Sequence, residues 1–311
     1  MSHHPDQILV LAGPTGSGKT PLAIHLAKML NGEIISADSR QIYKFMDIGT
    51  AKPSPGELAE VPHHFIDILT PDKDYNAGMF SEEGRAAVQK IIGRGKMPIV
   101  AGGSGLYIQA LIDGFFDGPP ADPEFRERYY SRYSAEGGEA MLEELRTVDP
   151  VAAAGMLPTN SRRIVRALEV FHLTGKPISE HQKNVDPIPY KSHFVALQWD
   201  RKELYHRIDA RVNRMLEAGF LDEVKGLQEM GYMRELNALQ TVGYKEAFQY
   251  LNNEKTYDEM VEWMKRNTRR YAKRQLTWFR PDTRIQWYPA NESTDLEKTA
   301  EKIVEGVKRN N

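Results

Sequence analysis

The stretch ILVLAGPTGSGKT, residues 8–20, runs from a short apolar strand into a glycine-rich turn and on into a helix. No other feature restricts the fold as strongly. With the spacing Gly13-x4-Gly18-Lys19-Thr20, consecutive backbone N–H groups can point inward at a helix N-terminus, and Lys19 adds positive charge. Such a turn cradles a diphosphate or triphosphate. Gly13, Pro14, Thr15, Gly16, Ser17, Gly18, Lys19 and Thr20 are therefore the expected phosphate-binding residues, and the Thr20 hydroxyl is the expected ligand for Mg2+. Pro21 falls in the first helical turn, where a missing N–H costs nothing.

Downstream, strand and helix patterns alternate. GEIISA (32–37) reads as a second strand ending in DSRQIY, HFIDIL (64–69) as a third, and MPIVAGG (97–103) as a fourth that enters a helix near Gly105. Alternation of this kind predicts a parallel, doubly wound α/β sheet flanked by helices, of the P-loop NTPase type. Ligands in such sheets collect at the carboxyl ends of the strands, so GPTGSGKT, DSRQIY and GGSGLY should meet in one crevice. From DGPPADP (117–123) only helical periodicity follows, until the strand HFVALQW (193–199) resumes the pattern. The expected organisation is a core of residues 1–118 and 191–311 with a helical insertion domain at 119–190.

Composition narrows the class. With 41% hydrophobic and 27% charged residues, the 311-residue chain reads as globular, and no apolar run approaches a membrane span of about 18–20 residues. MSHHPDQ lacks the cationic and apolar regions of a secretory signal, and the absence of cysteine fits a reducing compartment, so a cytoplasmic location is expected. A net charge of −2 announces no general polyanion binding, yet 264–280 and 160–166 are rich in Lys and Arg without any acid. Local basic faces of that kind can hold a polyanion.

An acid at the end of an apolar strand usually serves Mg2+ in mechanical NTPases, but PIVAGGSG ends without one. The acid is Asp38, which closes the second strand and favours transfer to an acceptor over motor chemistry. Asp38 could alternatively cap the segment that follows it. In 204–219, Leu204, Ile208, Val212 and Met215 form a buried stripe at helical spacing, which sets Arg207, Arg211 and Arg214 on another face. The adjacent His63 and His64 lack the accompanying Cys or spaced carboxylates of a metal site. Trp263, Tyr271, Trp278 and Phe279 read as packing residues rather than stacking platforms.

SADSRQIY, MDIGTAKP, VPHHFID, GGSGLY, RALEVF, TVGYKE and AKRQLTWFR, in this order from about residue 8 to 281 with the P-loop, resemble the tRNA dimethylallyltransferase (tRNA isopentenyltransferase) family. The resemblance implies that the P-loop holds the diphosphate of dimethylallyl diphosphate. It implies that the acceptor is the exocyclic amine of the adenosine at tRNA position 37, beside the anticodon, flipped into a channel. It assigns catalysis to Asp38, Ser104 and Arg211, the last as a diphosphate contact, with Ser104 standing where threonine is commoner. It assigns tRNA contacts to Asp38, Ser39, Arg40 and Gln41, to Ser104, to Arg162, Arg163, Ile164, Val165 and Arg166, and to Gln240, Thr241, Val242, Gly243, Tyr244 and Lys245.

Residue chemistry agrees with that assignment. An adenine amino nitrogen is a poor nucleophile, and a carboxylate that accepts its proton is worth about 10²–10⁴ in rate. Departing diphosphate needs Lys19, backbone N–H groups, Mg2+ and an arginine to take up its charge. Three other readings stay open at this level: a small-molecule kinase, an isopentenyltransferase using free adenine nucleotides, and a non-enzymatic RNA-binding P-loop protein.

Overall fold

The structure, a computed structural model, describes residues 6–116 and 118–309. Residues 1–5, which open the stretch read as lacking a signal, and residue 117, where the sequence pattern changes, lie outside the described residues. The chain divides into two compact units, Met1–Ile112 with Ile188–Asn311, and Asp113–Pro187. Both boundaries precede the expected ones. The Ile188 N–H donates to the Ile112 carbonyl at 2.8 Å, which ties the returning chain to the point where it left the sheet unit.

In the first unit, β1 (Gln7–Ala12), α1 (Lys19–Met29), β2 (Gly32–Ala37), α2 (Pro55–Glu60), β3 (His63–His64), α3 (Ala77–Gly93), β4 (Met97–Gly102) and α4 (Gly105–Asp113) follow in order. The second unit carries α5 (Pro123–Glu136), α6 (Gly138–Val148), α7 (Pro150–Ala154), α8 (Ser161–Thr174) and α9 (Ile178–His181). The first unit then resumes with β5 (Lys191–Trp199), α10 (Arg201–Glu217), α11 (Phe220–Glu229), α12 (Tyr244–Leu251), α13 (Tyr257–Phe279), β6 (Ile285–Ala290) and α14 (Leu296–Arg309). All six strands are parallel, in the order β3-β2-β4-β1-β5-β6.

Alternation within β1 explains the layers. Ile8, Val10 and Ala12 face a core shared with Phe80, Phe220 and Phe248, while Leu9 and Leu11 face α1 and α14 through Leu22, Leu26 and Ile303. A strand covered on both faces reads as an unbroken apolar run, which is why ILVLA marks the sheet centre. Each such side chain contributes about 1.5–3 kcal/mol by leaving water.

Two strand assignments change. The expected strand at 64–69 is only His63–His64, because Phe65 at φ 64° and Asp67 at φ 56° turn the backbone out of the extended region. Its far end survives as a single bridge between Tyr43 and Leu69. Conversely, the last thirty residues, which carry no motif, supply the edge strand β6 and the helix α14 that packs on α1.

The second unit is helical, as its periodicity predicts. Phe125, Met141, Leu142, Leu145, Ile164, Val165 and Leu168 form its core. At 0% and 1% exposure, Ile164 and Val165 are corrected from RNA contacts to packing residues. Arg166 changes role too: its guanidinium pairs with the fully buried Glu169 at 2.7 Å and donates to the Pro119 carbonyl at 3.0 Å. Arg162 and Arg163, one turn earlier, remain exposed.

Candidate active site

The phosphate loop is held from outside by its carbonyl oxygens. Trp199 Nε1 donates to Ser17 O and Arg207 Nε to Gly16 O, both at 2.9 Å, and Arg207 lies over the Trp199 ring at 4.2 Å. Pro14 O accepts Ser17 Oγ at 2.8 Å and Lys19 Nζ at 2.7 Å. With those carbonyls occupied, the N–H groups of Gly16 and Gly18 have no partner among the described residues. Gly18, at φ 89°, caps α1 without a side chain, so the helix N-terminus stays open to an anion. Gly16 has no substitute: its φ is 80°, and a Cβ would sit 2.9 Å from Ile208 Cγ1.

Across the strand ends, β2 delivers Asp38. One carboxylate oxygen accepts the Arg40 N–H at 2.9 Å, so the turn-capping role is real, and the other oxygen has no hydrogen-bond partner among the described residues. Ser39 N–H donates to Ser104 Oγ at 3.1 Å, and Ser104 N–H to Ala37 O at 3.1 Å. Gln41 accepts Ser36 Oγ at 2.9 Å and donates to Ala51 O at 3.1 Å. Arg40 reaches the Asn237 carbonyl at 2.9 Å. The 38–41 segment is thereby fixed on every side.

A cavity of about 410 Å3 opens between these walls, bordered by Thr15, Lys19, Thr20, Asp38, Arg211 and Tyr271 among others. Ser39, Arg40, Gln41, Gln240, Thr241, Val242, Gly243 and Lys245 also line it. A second cavity of about 540 Å3 borders the outer side of the loop, lined by Gly16, Ser17, Gly18, His206, Arg207 and Arg214. Lys19, Thr20, Ala51 and Arg211 border both. An anion held there is within reach of either side.

The charges are tuned by crowding. Burial, with Arg211 beside it, pulls the Lys19 ammonium down to about 7 against the opposing pull of Asp38. Burial also lowers Arg211, an effect that Asp38 opposes and Arg214 reinforces. Burial pushes the Tyr271 hydroxyl up to about 12 and keeps it neutral. The unit thus holds more positive charge around one turn than it can neutralise, an arrangement that a polyanionic ligand relieves.

A family model described as IPP transferase matches residues 41–282. Over 93% of its length the chain is 48% identical to tRNA dimethylallyltransferase 1 of Pelobacter propionicus, covering 95% of that protein. The chain belongs to the tRNA dimethylallyltransferase family. A relative from Roseiflexus castenholzii is 46% identical over 96% of this chain and 97% of its own. The fold is similar to that of the tRNA isopentenylpyrophosphate transferase of Bacillus halodurans, with a TM-score of 0.72, 38% identity and coverage of 98% and 97%. It is also similar to a eukaryotic dimethylallyltransferase acting on tRNA, with a TM-score of 0.82, 31% identity and coverage of 98% of this chain and 79% of that one. P-loop NTPase-like architecture and membership in a prenyltransferase family thus coincide.

Seen as a dimethylallyltransferase-family site, several residues take different parts from those expected. Ser104 does not border either cavity; its hydroxyl oxygen supports the Ser39 N–H. Gly13 and Pro14 border neither as well, since Pro14 lacks an N–H and spends its carbonyl on Lys19 and Ser17. Tyr244 is fully buried and donates to Glu223 at 2.6 Å, so its side chain belongs to the core. Arg207, placed by the sequence only on the helix face away from the buried stripe, clamps the phosphate loop. Of Trp263, Tyr271, Trp278 and Phe279, only Phe279 is buried in the core: Trp263 and Trp278 are exposed and Tyr271 borders the cavity. His63 and His64 spend ring nitrogens on the Val61 carbonyl and on Glu33.

Two functional supports escaped the sequence. Glu223 accepts the N–H groups of Asp47, Ile48 and Gly49 at 2.8, 2.6 and 3.1 Å and so shapes the MDIGTAK loop over the cavity. Gln275 joins the phosphate loop to the Gly103 carbonyl. A glutamate in the first turn of an amphipathic helix, or a glutamine within a basic helix, carries no signal of such partners.

Proposed function

We propose that the protein transfers the dimethylallyl group of dimethylallyl diphosphate to the exocyclic amine (N6) of the adenosine beside the anticodon of tRNA, position 37, releasing pyrophosphate. One observation carries the reading: Asp38 and the phosphate loop border the same cavity, with Arg211 on its wall. The bond between the allylic carbon and the diphosphate oxygen breaks, a carbon–nitrogen bond forms, and the amine proton passes to the free oxygen of Asp38. Gly16 and Gly18 N–H groups, Lys19 and Arg211 take up the charge on the departing oxygens.

Bound Mg2+ would supply charge neutralisation to the departing diphosphate, and such an ion needs only one or two protein groups to hold it. Thr20 suits that habit: the residue borders both cavities, and its hydroxyl has no hydrogen-bond partner among the described residues. On the RNA side, exposed Arg162 and Arg163 and the cavity-lining Arg40 and Lys245 supply cations for backbone phosphates or unpaired bases.

Incubation with dimethylallyl diphosphate, Mg2+ and unmodified tRNA should release pyrophosphate and leave a prenyl group on the RNA. ATP turnover without an RNA product would favour a kinase instead, and prenylation of free AMP in preference to tRNA would favour the nucleotide-dependent transferase.

A further inference from the structure

Gln275 sits on α13, 260 residues after its partner Thr15, and is only 7% exposed. Its Oε1 accepts the Thr15 N–H at 2.9 Å and its Nε2 donates to the Gly103 carbonyl at 3.0 Å. The amide orientation is therefore unambiguous, since a backbone N–H requires the oxygen and a backbone carbonyl requires the NH2. The approach is close: a Cβ on Gly103 would stand 2.2 Å from Gln275 Nε2, so only glycine leaves room for the bond. Gly103 precedes Ser104, whose hydroxyl oxygen holds the Ser39 N–H beside Asp38. One buried amide thus bridges the loop that grips the donor and the strand end that supports the base.

We infer that Gln275 is a positioning residue for prenyl transfer, setting the span between the departing diphosphate and the carboxylate that readies the amine. The inference rests on the transfer reaction proposed above. Gln275 touches no reacting atom in this scheme. Its effect comes through alignment, where a displacement of about 1 Å can cost about 10² in rate. A misaligned acceptor also leaves the activated donor open to water. In that side reaction the allylic carbon–oxygen bond breaks, water oxygen bonds to the carbon, its proton goes to solvent, and dimethylallyl alcohol and pyrophosphate result.

Two substitutions of nearly constant volume test this. Gln275→Met removes both hydrogen bonds. Gln275→Glu keeps the acceptor for Thr15 but faces the Gly103 carbonyl with a second oxygen. Both should lower kcat at least about tenfold and raise the share of donor recovered as alcohol, while for Gln275→Met the donor KM, tRNA Kd and Tm stay near wild type. Relative to wild type, Gln275→Glu should recover as pH falls from about 8 to about 6, because a protonated buried carboxyl regains the missing donor. Gln275→Met should not. Unchanged kcat and product partition would overturn the inference, and so would a parallel fall of Tm, affinity and turnover, which is the mark of packing alone. Wild-type enzyme run alongside separates the two claims: active wild type with indifferent variants sinks only Gln275, whereas wild type that never prenylates RNA sinks the transfer reaction and the role of Gln275 with it.

Discussion

The Arg40 N–H holds one carboxylate oxygen of Asp38 at 2.9 Å and leaves the other turned loose beside the phosphate loop cavity. Capping and catalysis compete as explanations in the sequence; in the proposed transfer they would be divided between the two oxygens of one side chain. The cap orients the group, and the remaining oxygen is available for a proton.

Asp38→Ala should therefore reduce kcat by at least about 10² while tRNA still binds. Asp38→Asn, which keeps the Arg40 bond but cannot take a proton, should be nearly as poor. Single-turnover transfer assays paired with a tRNA binding titration make the comparison; undiminished turnover in Asp38→Asn would remove the carboxylate as base.

Lys19 leads to a pH effect with a defined sign. Burial and Arg211 hold its ammonium at about 7, against 10.5 for a free lysine, so the folded protein binds fewer protons than the unfolded chain between those values. Stability should rise with pH across that window, and the ammonium form is the strained one below it. A bound diphosphate reverses the preference. Calorimetry of binding of a diphosphate monoester, which holds no proton of its own at about pH 8, repeated in buffers of different ionisation enthalpy, should show uptake approaching one proton per site. Zero uptake would mean that Lys19 is already charged in the empty pocket.

Arg163 is exposed on α8, free of the Glu169 cluster that occupies Arg166. Arg163→Ala should weaken tRNA binding and flatten its salt dependence by roughly one phosphate contact. Arg166→Ala should instead lower the melting temperature, by exposing the buried Glu169 carboxylate to an incomplete set of partners. Filter-binding slopes and thermal melts should sort the two neighbours into different classes.

At the opposite end of β2, Glu33 is 4% exposed. Burial opposes its charge, but hydrogen bonds from Arg94, His64 and Lys96 prevail and hold the carboxyl at about 2. A carboxyl lowered in the fold stabilises above its unfolded value of about 4.5, and the contribution fades as pH falls toward 2. Glu33→Gln should cost about 1–3 kcal/mol at neutral pH, limited by the partial solvation of Arg94 and His64, and lower Tm by roughly 5 °C. The gap between variant and wild type should narrow in acid.

What could be read in the sequence was what is local. Gly13 to Thr20 occupy one turn, Asp38 directly follows its strand, and Arg211 shares a helix face with Arg207 and Arg214, so spacing alone places them. Gln275, Glu223 and the Trp199–Arg207 clamp act on backbone groups more than 170 residues away, and a backbone acceptor leaves no trace in residue type. The same physics hid β6: Pro289 argues against a strand, yet it is tolerated because β6 lies at the sheet edge. It also misdirected Ile164, Val165 and Tyr244, since a motif marks a segment without saying which of its side chains face inward.

The outer brace on the phosphate loop has a consequence for biosynthesis. Thr15 leaves the ribosome 260 residues before Gln275, and at roughly 5–20 residues per second that interval is about 13–52 s. For the first part of it the glycine turn lacks its tryptophan and arginine clasps, and to the very end it lacks its glutamine tether. A nascent chain stalled anywhere before α13 should own the signature motif and yet lack the shape that makes it grip an anion, so donor affinity should switch on late in translation, as one of the last properties the chain acquires.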